Sequence, residues 1–176
     1  MIKGIAITIL VTLIFLLAGL SLRAEDSELL PGEGIRHYEM FVRQYPSEPS
    51  YHNALGYYYL KASDFQGAEH HFLKAIQLDK SFATAYNNLG ILYLQKGLLD
   101  QAENKFRQAV ELKSNYSKAL YNLAVVLFHK KHYYEAAKIY RRVRELDAEY
   151  VEQRNNSTKI KAAIEQLAKE NRQTEH

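Results

Sequence analysis

Histidine is the side chain that most often changes charge or ligates a metal near neutral pH, and this chain carries seven in 176 residues. His70 and His71 are neighbours, so on a helix their rings diverge. His129 and His132 straddle a turn beside Lys130 and Lys131, whose charges oppose a cation. No carboxylate sits at ligand spacing within that turn, so these imidazoles read as solvated surface groups and no metal site is expected. Cysteine is absent, which excludes thiol nucleophiles, disulfides, a lipid-modified cysteine and cysteine-ligated zinc or iron–sulfur clusters. No nucleophile, base and orienting group assemble from local spacing, and no glycine-rich loop is present to cradle phosphate. The expectation is a protein that is not an enzyme, with no cofactor and no small-molecule substrate.

Charge gives little more. The formal net charge of +3 is not the footprint of a nucleic-acid binder. The run KIYRRVREL (138–146), with Lys130 and Lys131, is locally basic and could face an anionic membrane or an acidic protein. Interleaved with Glu135 and Glu145, it reads first as the solvated outer face of a helix.

Aromatic contact area remains. ALGYYYLK (54–61) sets three tyrosines in succession, and a helix turns them about 100° apart. On a helical wheel Leu55, Tyr59 and His52 point to the core, Tyr58 points sideways toward an adjoining helix, and Tyr57 points away from the core.

These side chains need elements to hold them, and the elements repeat. Leu55-Gly56, Leu89-Gly90 and Leu123-Ala124 stand 34 residues apart. The same offset links Tyr59, Tyr93 and Leu127; Ala68, Ala102 and Ala136; Phe72, Phe106 and Tyr140; and Ala75, Ala109 and Val143. Small residues recur where helices must approach closely, and rings recur where the gaps must be filled. Turns fall at Ser63-Asp64, Gly97-Leu98 and Lys131-His132. A helical hairpin of this kind cannot bury its apolar face alone, so successive copies must stack.

Ahead of the repeats, Gly4 to Leu22 carry no charge, and at 1.5 Å per residue they span close to the roughly 30 Å hydrocarbon core of a bilayer. A cleaved signal peptide normally has a shorter apolar core and a small-x-small site, and Gly19-x-Ser21 and Leu22-x-Ala24 fit that poorly. An uncleaved anchor through residues 4–22 is therefore preferred over a cleaved signal. Either reading leaves the remainder outside the cytoplasm, because the short leading tail with Lys3 stays inside. The chain is expected to be a single-pass membrane protein, periplasmic in a Gram-negative bacterium, or secreted or periplasmic after cleavage.

The motif LGYYY…AEHHF, LGILY…AENKF, LAVVL…AAKIY resembles the tetratricopeptide repeat family, with its W-x2-L-G-x2-Y…A-x3-F…P signature. The Trp position holds His52, Tyr86 and Leu120, and the closing Pro position holds Lys80, Ser114 and Ala148. The resemblance implies an all-α solenoid of a half repeat, three full repeats and a capping helix. The expected organisation is an anchor or signal at 1–23, a polar tether broken at Pro31-Gly32 over 24–34, and a degenerate half repeat at 35–48. Full repeats follow at 49–82, 83–116 and 117–150, then an amphipathic capping helix at 151–170 and a frayed tail at 171–176.

In the resembled family the first helices line a concave groove that holds peptide segments of partner proteins. The equivalent positions here are Asn53, Asn87 and Tyr121; Tyr57, Ile91 and Val125; and Leu60, Leu94 and Phe128. The last two rows are apolar in every copy, and the amides would orient a bound segment by hydrogen bonds. One variant of the family grips a terminal carboxylate with Lys, Asn and Arg. Asn88 and Lys118 match two of those positions, while Asn53, Tyr57 and Asn122 do not match the others, so that capture is not expected. The resemblance implies a scaffold that binds protein, akin to bacterial envelope proteins that assist secretion, pilus or cofactor-maturation machines. The alternative is a structural or self-assembling subunit that uses its convex or terminal faces.

Overall fold

In a computed structural model, residues 29–154 and the single residue 162 are described. The chain there runs through helices α1 (Pro31–Gln44), α2 (Pro49–Lys61), α3 (Phe65–Leu78), α4 (Ala83–Gln95), α5 (Leu99–Leu112), α6 (Ser117–His129), α7 (Tyr133–Leu146) and α8 (Ala148–Gln153). No strand occurs among the described residues. The membrane span expected at residues 4–22 lies outside them, as do residues 155–161 and 163–176, which hold most of the expected capping helix and the tail. Among the described residues no helix is long and apolar enough to cross a membrane.

Each hairpin turn is built the same way. Ser63, Gly97 and Lys131 adopt positive φ (62°, 74° and 64°) one residue past the helix cap. The next amide, on Asp64, Leu98 or His132, then donates back to the carbonyl of Tyr59, Tyr93 or Leu127 at 2.9 Å. That is the Schellman closure, which satisfies carbonyls the helix leaves orphaned. Asp64 goes on to cap α3, its carboxylate accepting from the Gly67 amide at 2.9 Å.

Between hairpin partners the small-and-large columns interlock. Ala68, Ala102 and Ala136 are fully buried, as are Phe72 and Phe106. A Cβ on Gly56 or Gly90 would lie 2.8 Å from the Phe72 ring or 2.6 Å from the Phe106 ring, so only hydrogen fits there. Outer-face ion pairs then tie neighbours: Lys130 meets Asp100 at 2.6 Å and Glu103 at 2.7 Å, while Arg107 meets Glu103 at 2.8 Å and Glu135 at 2.7 Å. Burial pushes the Glu103 carboxyl up, but Lys130 and Arg107 together hold it below the ordinary carboxylate range. The basic side chains of the α7 run, Lys138, Arg141, Arg142 and Arg144, are exposed, with Arg142 donating to the Ser114 carbonyl at 2.6 Å.

The ends differ from the expectation. α1 begins at Pro31, inside the segment read as a tether, because proline suits the first helical position, where no intrahelical N–H is needed. The Glu33 carboxylate then accepts from the Leu30 amide at 3.3 Å. This extra turn brings Gly34 against Tyr58, where a Cβ would overlap the ring. At the other end, α8 crosses the expected 150/151 boundary and buries Val151 in the core of the last repeat.

Candidate partner-binding groove

The backbones of the first helices of successive repeats, α2, α4 and α6, approach one another closely, whereas those of the second helices α3, α5 and α7 do not, and α5 and α7 are bridged by the long side chains of Arg107 and Glu135. The array therefore curves with the first helices on the inside, and their free faces form one wall.

The three tyrosines at the start of that wall separate by environment. Tyr57 is 44% exposed on the inner face, with the Lys61 ammonium 5.5 Å from its ring centre. Tyr58 is 4% exposed and stacks on Tyr38 of α1 at 5.5 Å between ring centres. Tyr59, the residue expected at the core, is only half-buried: its ring lies 5.5 Å from His71 and its hydroxyl donates to Glu39 at 3.0 Å. Burial, then the bond to Glu39, raises the Tyr59 hydroxyl above its ordinary value.

The expected apolar rows divide in the same way. Ile91, Leu94 and Phe128 are half-buried and lean on the main core, and Val125 is half-buried beside them. Leu60, expected in the groove, is 7% exposed and belongs to the core. The groove's apolar area is thus a stripe through Tyr57, Ile91 and Val125, edged by Leu94 and Phe128.

The polar row needs a larger correction. Asn87 is 3% exposed and its amide is spent within the protein. Its Oδ1 accepts from Asn122 Nδ2 at 2.9 Å, and its own Nδ2 donates to Asn88 Oδ1 at 3.4 Å. Asn88 Nδ2 in turn donates to Asn53 Oδ1 at 3.0 Å. A directed ladder of amides, Asn122 to Asn87 to Asn88 to Asn53, ties the three inner helices together. Tyr121 does not join it; its ring packs edge-on to Tyr150 at 5.9 Å and is tilted against Tyr140 at 6.3 Å. The 34-residue column missed Asn88 and Asn122 as structural partners because contact between inner helices runs at an offset of 35. The paired Asn87-Asn88 was the available signal.

The wall's charge is one-sided. The inner helices (PSYHNALGYYYLK, ATAYNNLGILYLQ and SKALYNLAVVLFH) contain no carboxylate, and Lys61 and Lys118 are exposed on them. Among the described residues no cluster of three or more His, Cys, Asp or Glu could hold a metal. His52 is buried, on the core side where the wheel put it, but His71, read as solvated, is half-buried with its Nδ1 3.1 Å from His52 Nδ1.

Comparisons with known proteins agree with this architecture. A family profile described as Tetratricopeptide repeat matches residues 31–81, 53–117 and 87–151. A structure titled "Crystal structure of MamA" is 18% identical with a TM-score of 0.63, covering 83% of this chain and 92% of that one. The Arabidopsis OM64 TPR domain is 22% identical with a TM-score of 0.59, covering 69% and 95% respectively. The first TPR of Spaghetti (RPAP3) bound to HSP90 peptide SRMEEVD is 26% identical with a TM-score of 0.61, covering 66% and 95%. No curated protein matches significantly in sequence. With repeat matches running from residue 31 to 151 and the same stacked helical hairpins, the chain belongs to the tetratricopeptide repeat family.

Proposed function

We propose that this protein is a membrane-tethered, extracytoplasmic scaffold that holds a segment of a partner protein along its concave wall. The observation that carries the reading is the stripe of Tyr57, Ile91 and Val125 on an inner face that carries no carboxylate. Apolar area left accessible on a rigid concave surface favours a partner that supplies apolar side chains. Lys61 and Lys118 favour one that is neutral or acidic rather than basic. The peptide held by the similar RPAP3 repeats supports a segment as the occupant. That peptide's carboxyl terminus is not a guide here: the position that would carry a second cation holds Asn122, whose amide is spent on Asn87. Tyr57 supplies the largest accessible contact and Asn53, at the end of the ladder, orients the segment. Assembly of an envelope complex is the role such a tethered scaffold would serve.

Ile91→Glu with Val125→Glu charges the middle of the stripe, and Tyr57→Ala trims its exposed end. Crosslinking capture from native membranes should fall at least about tenfold for each, since removing a contact worth about 1.4 kcal/mol is a tenfold change. Circular dichroism checks that helicity is kept. Capture unchanged by both variants would refute the groove. A reporter fused after His176 tests topology, and reporter activity in the cytoplasm would overturn the extracytoplasmic placement.

A further inference from the structure

His52 and His71 occupy a pair of positions that recurs in every repeat. Thirty-four residues on, the pair is Tyr86 and Lys105, with the Lys105 ammonium 5.6 Å from the Tyr86 ring centre. In the third repeat it is Leu120 and Ile139, packed in the core of that repeat. The fold thus accepts an apolar pair at this contact, and the two histidines bring chemistry that packing does not require.

Their geometry says which chemistry. The Nδ1 atoms are 3.1 Å apart and the ring centres 5.3 Å apart. The difference is close to the sum of the two ring radii, so the nitrogens lie nearly on the line of centres and point at each other. That is the approach of one N–H···N hydrogen bond. A shared metal would need both lone pairs directed at a point about 2.0–2.1 Å from each nitrogen, and a head-on approach this close leaves no room for the ion.

The proton count follows from the other side of the ring. His52 Nε2 lies 3.1 Å from the Pro46 carbonyl oxygen. A carbonyl only accepts, so Nε2 carries the proton and neutral His52 keeps a lone pair on Nδ1. His71 Nδ1 is then the donor. A proton on each Nδ1 would set two N–H groups and two charges head-on, which breaks the bond. The groups acting on His71 come from α1 (Glu39), α2 (His52) and α3 (His70). Glu39 is already the acceptor of the Tyr59 hydroxyl, and that phenol is itself influenced by Asp64. Burial, then His70 and His52, lowers the His71 imidazole to about 4.

We propose that His52 and His71 form a one-proton latch that fastens α2 to α3 at neutral pH and is released by acidification. The folded His71 takes its proton at lower pH than the unfolded chain does. The stability it confers is therefore complete above about 6.5 and is lost as pH falls from there toward about 4.

The test compares the full chain with His52→Leu/His71→Ile, which copies the pair of the third repeat. Both are unfolded in urea at pH 7 and pH 5; the other five of the seven histidines are common to both and cancel. From pH 7 to pH 5 the wild-type unfolding constant should rise about twentyfold more than that of the variant. An equal rise in both overturns the latch. Should the variant not fold, nitrogen-15 NMR of the wild-type imidazoles decides: at pH 7, His52 Nδ1 should appear unprotonated and His71 Nδ1 protonated. Two rings titrating independently near about 6.5 would overturn it as well.

Discussion

Asn87→Ala separates a ladder that holds the solenoid together from an amide reserved for a partner. The substitution removes the Oδ1 that accepts from Asn122 Nδ2 at 2.9 Å. Asn122 is 8% exposed, so water reaches its freed N–H poorly. Because the substitution strands a buried donor, the loss is that group's desolvation penalty, roughly 1–3 kcal/mol, and not only the roughly 1 kcal/mol of a net hydrogen bond. Asn122→Ala strands only a carbonyl oxygen, which proteins tolerate better than a stranded donor, and should cost less. The double variant removes both partners, so its loss should fall short of the sum by about 1 kcal/mol. Urea unfolding of the full chain, followed by circular dichroism, reads all three. A partner-contact role predicts instead that Asn87→Ala leaves stability nearly untouched and abolishes capture. A loss below about 0.5 kcal/mol, with an additive double variant, would refute the ladder.

Two further outcomes follow from the packing. Gly90→Ala puts a methyl 2.6 Å from the buried Phe106 ring and should destabilise by about 1–3 kcal/mol, whereas Gly32→Ala, with nothing within 4 Å, should be neutral or slightly stabilising. Equal effects in thermal unfolding would contradict that account. Ser63→Gly and Lys131→Gly relieve left-handed backbone at φ 62° and 64°, and each should raise stability by up to about 1 kcal/mol. Gly97→Ala, at the same place in the middle hairpin, should cost a similar amount, and a gain there would be inconsistent with the shared turn geometry.

The solenoid was legible because its signal is periodic. Five columns at a spacing of 34 named the helices, the turns and the small residues at close approach, since each hairpin meets nearly the same environment as the last. Where a repeat loses its neighbour, the column stops being a guide. Tyr58 is buried like Leu92 and Val126 in its column, here by α1, whose Gly34 makes room for the ring, but Tyr59 is only half-buried, unlike Tyr93 and Leu127, and pairs with Glu39. The groove was half legible. The wheel turned Tyr57 away from the core, and the family resemblance made its row, with Ile91 and Val125, the one expected to line the groove. The wheel could not show that Leu60 is covered, because that depends on the next helix.

Side-chain pairing lay beyond the repeat register altogether. Inner helices meet at an offset of 35, so Asn122 reaches Asn87 and Asn88 reaches Asn53, while a 34-residue column aligns none of these pairs. His52 and His71 are 19 residues apart, and only the folding of α3 back onto α2 sets their nitrogens head-on. Periodicity along the chain specifies which face of a helix is buried. Which two polar atoms meet within 3 Å is a property of how two helices cross, and no single helix carries that information.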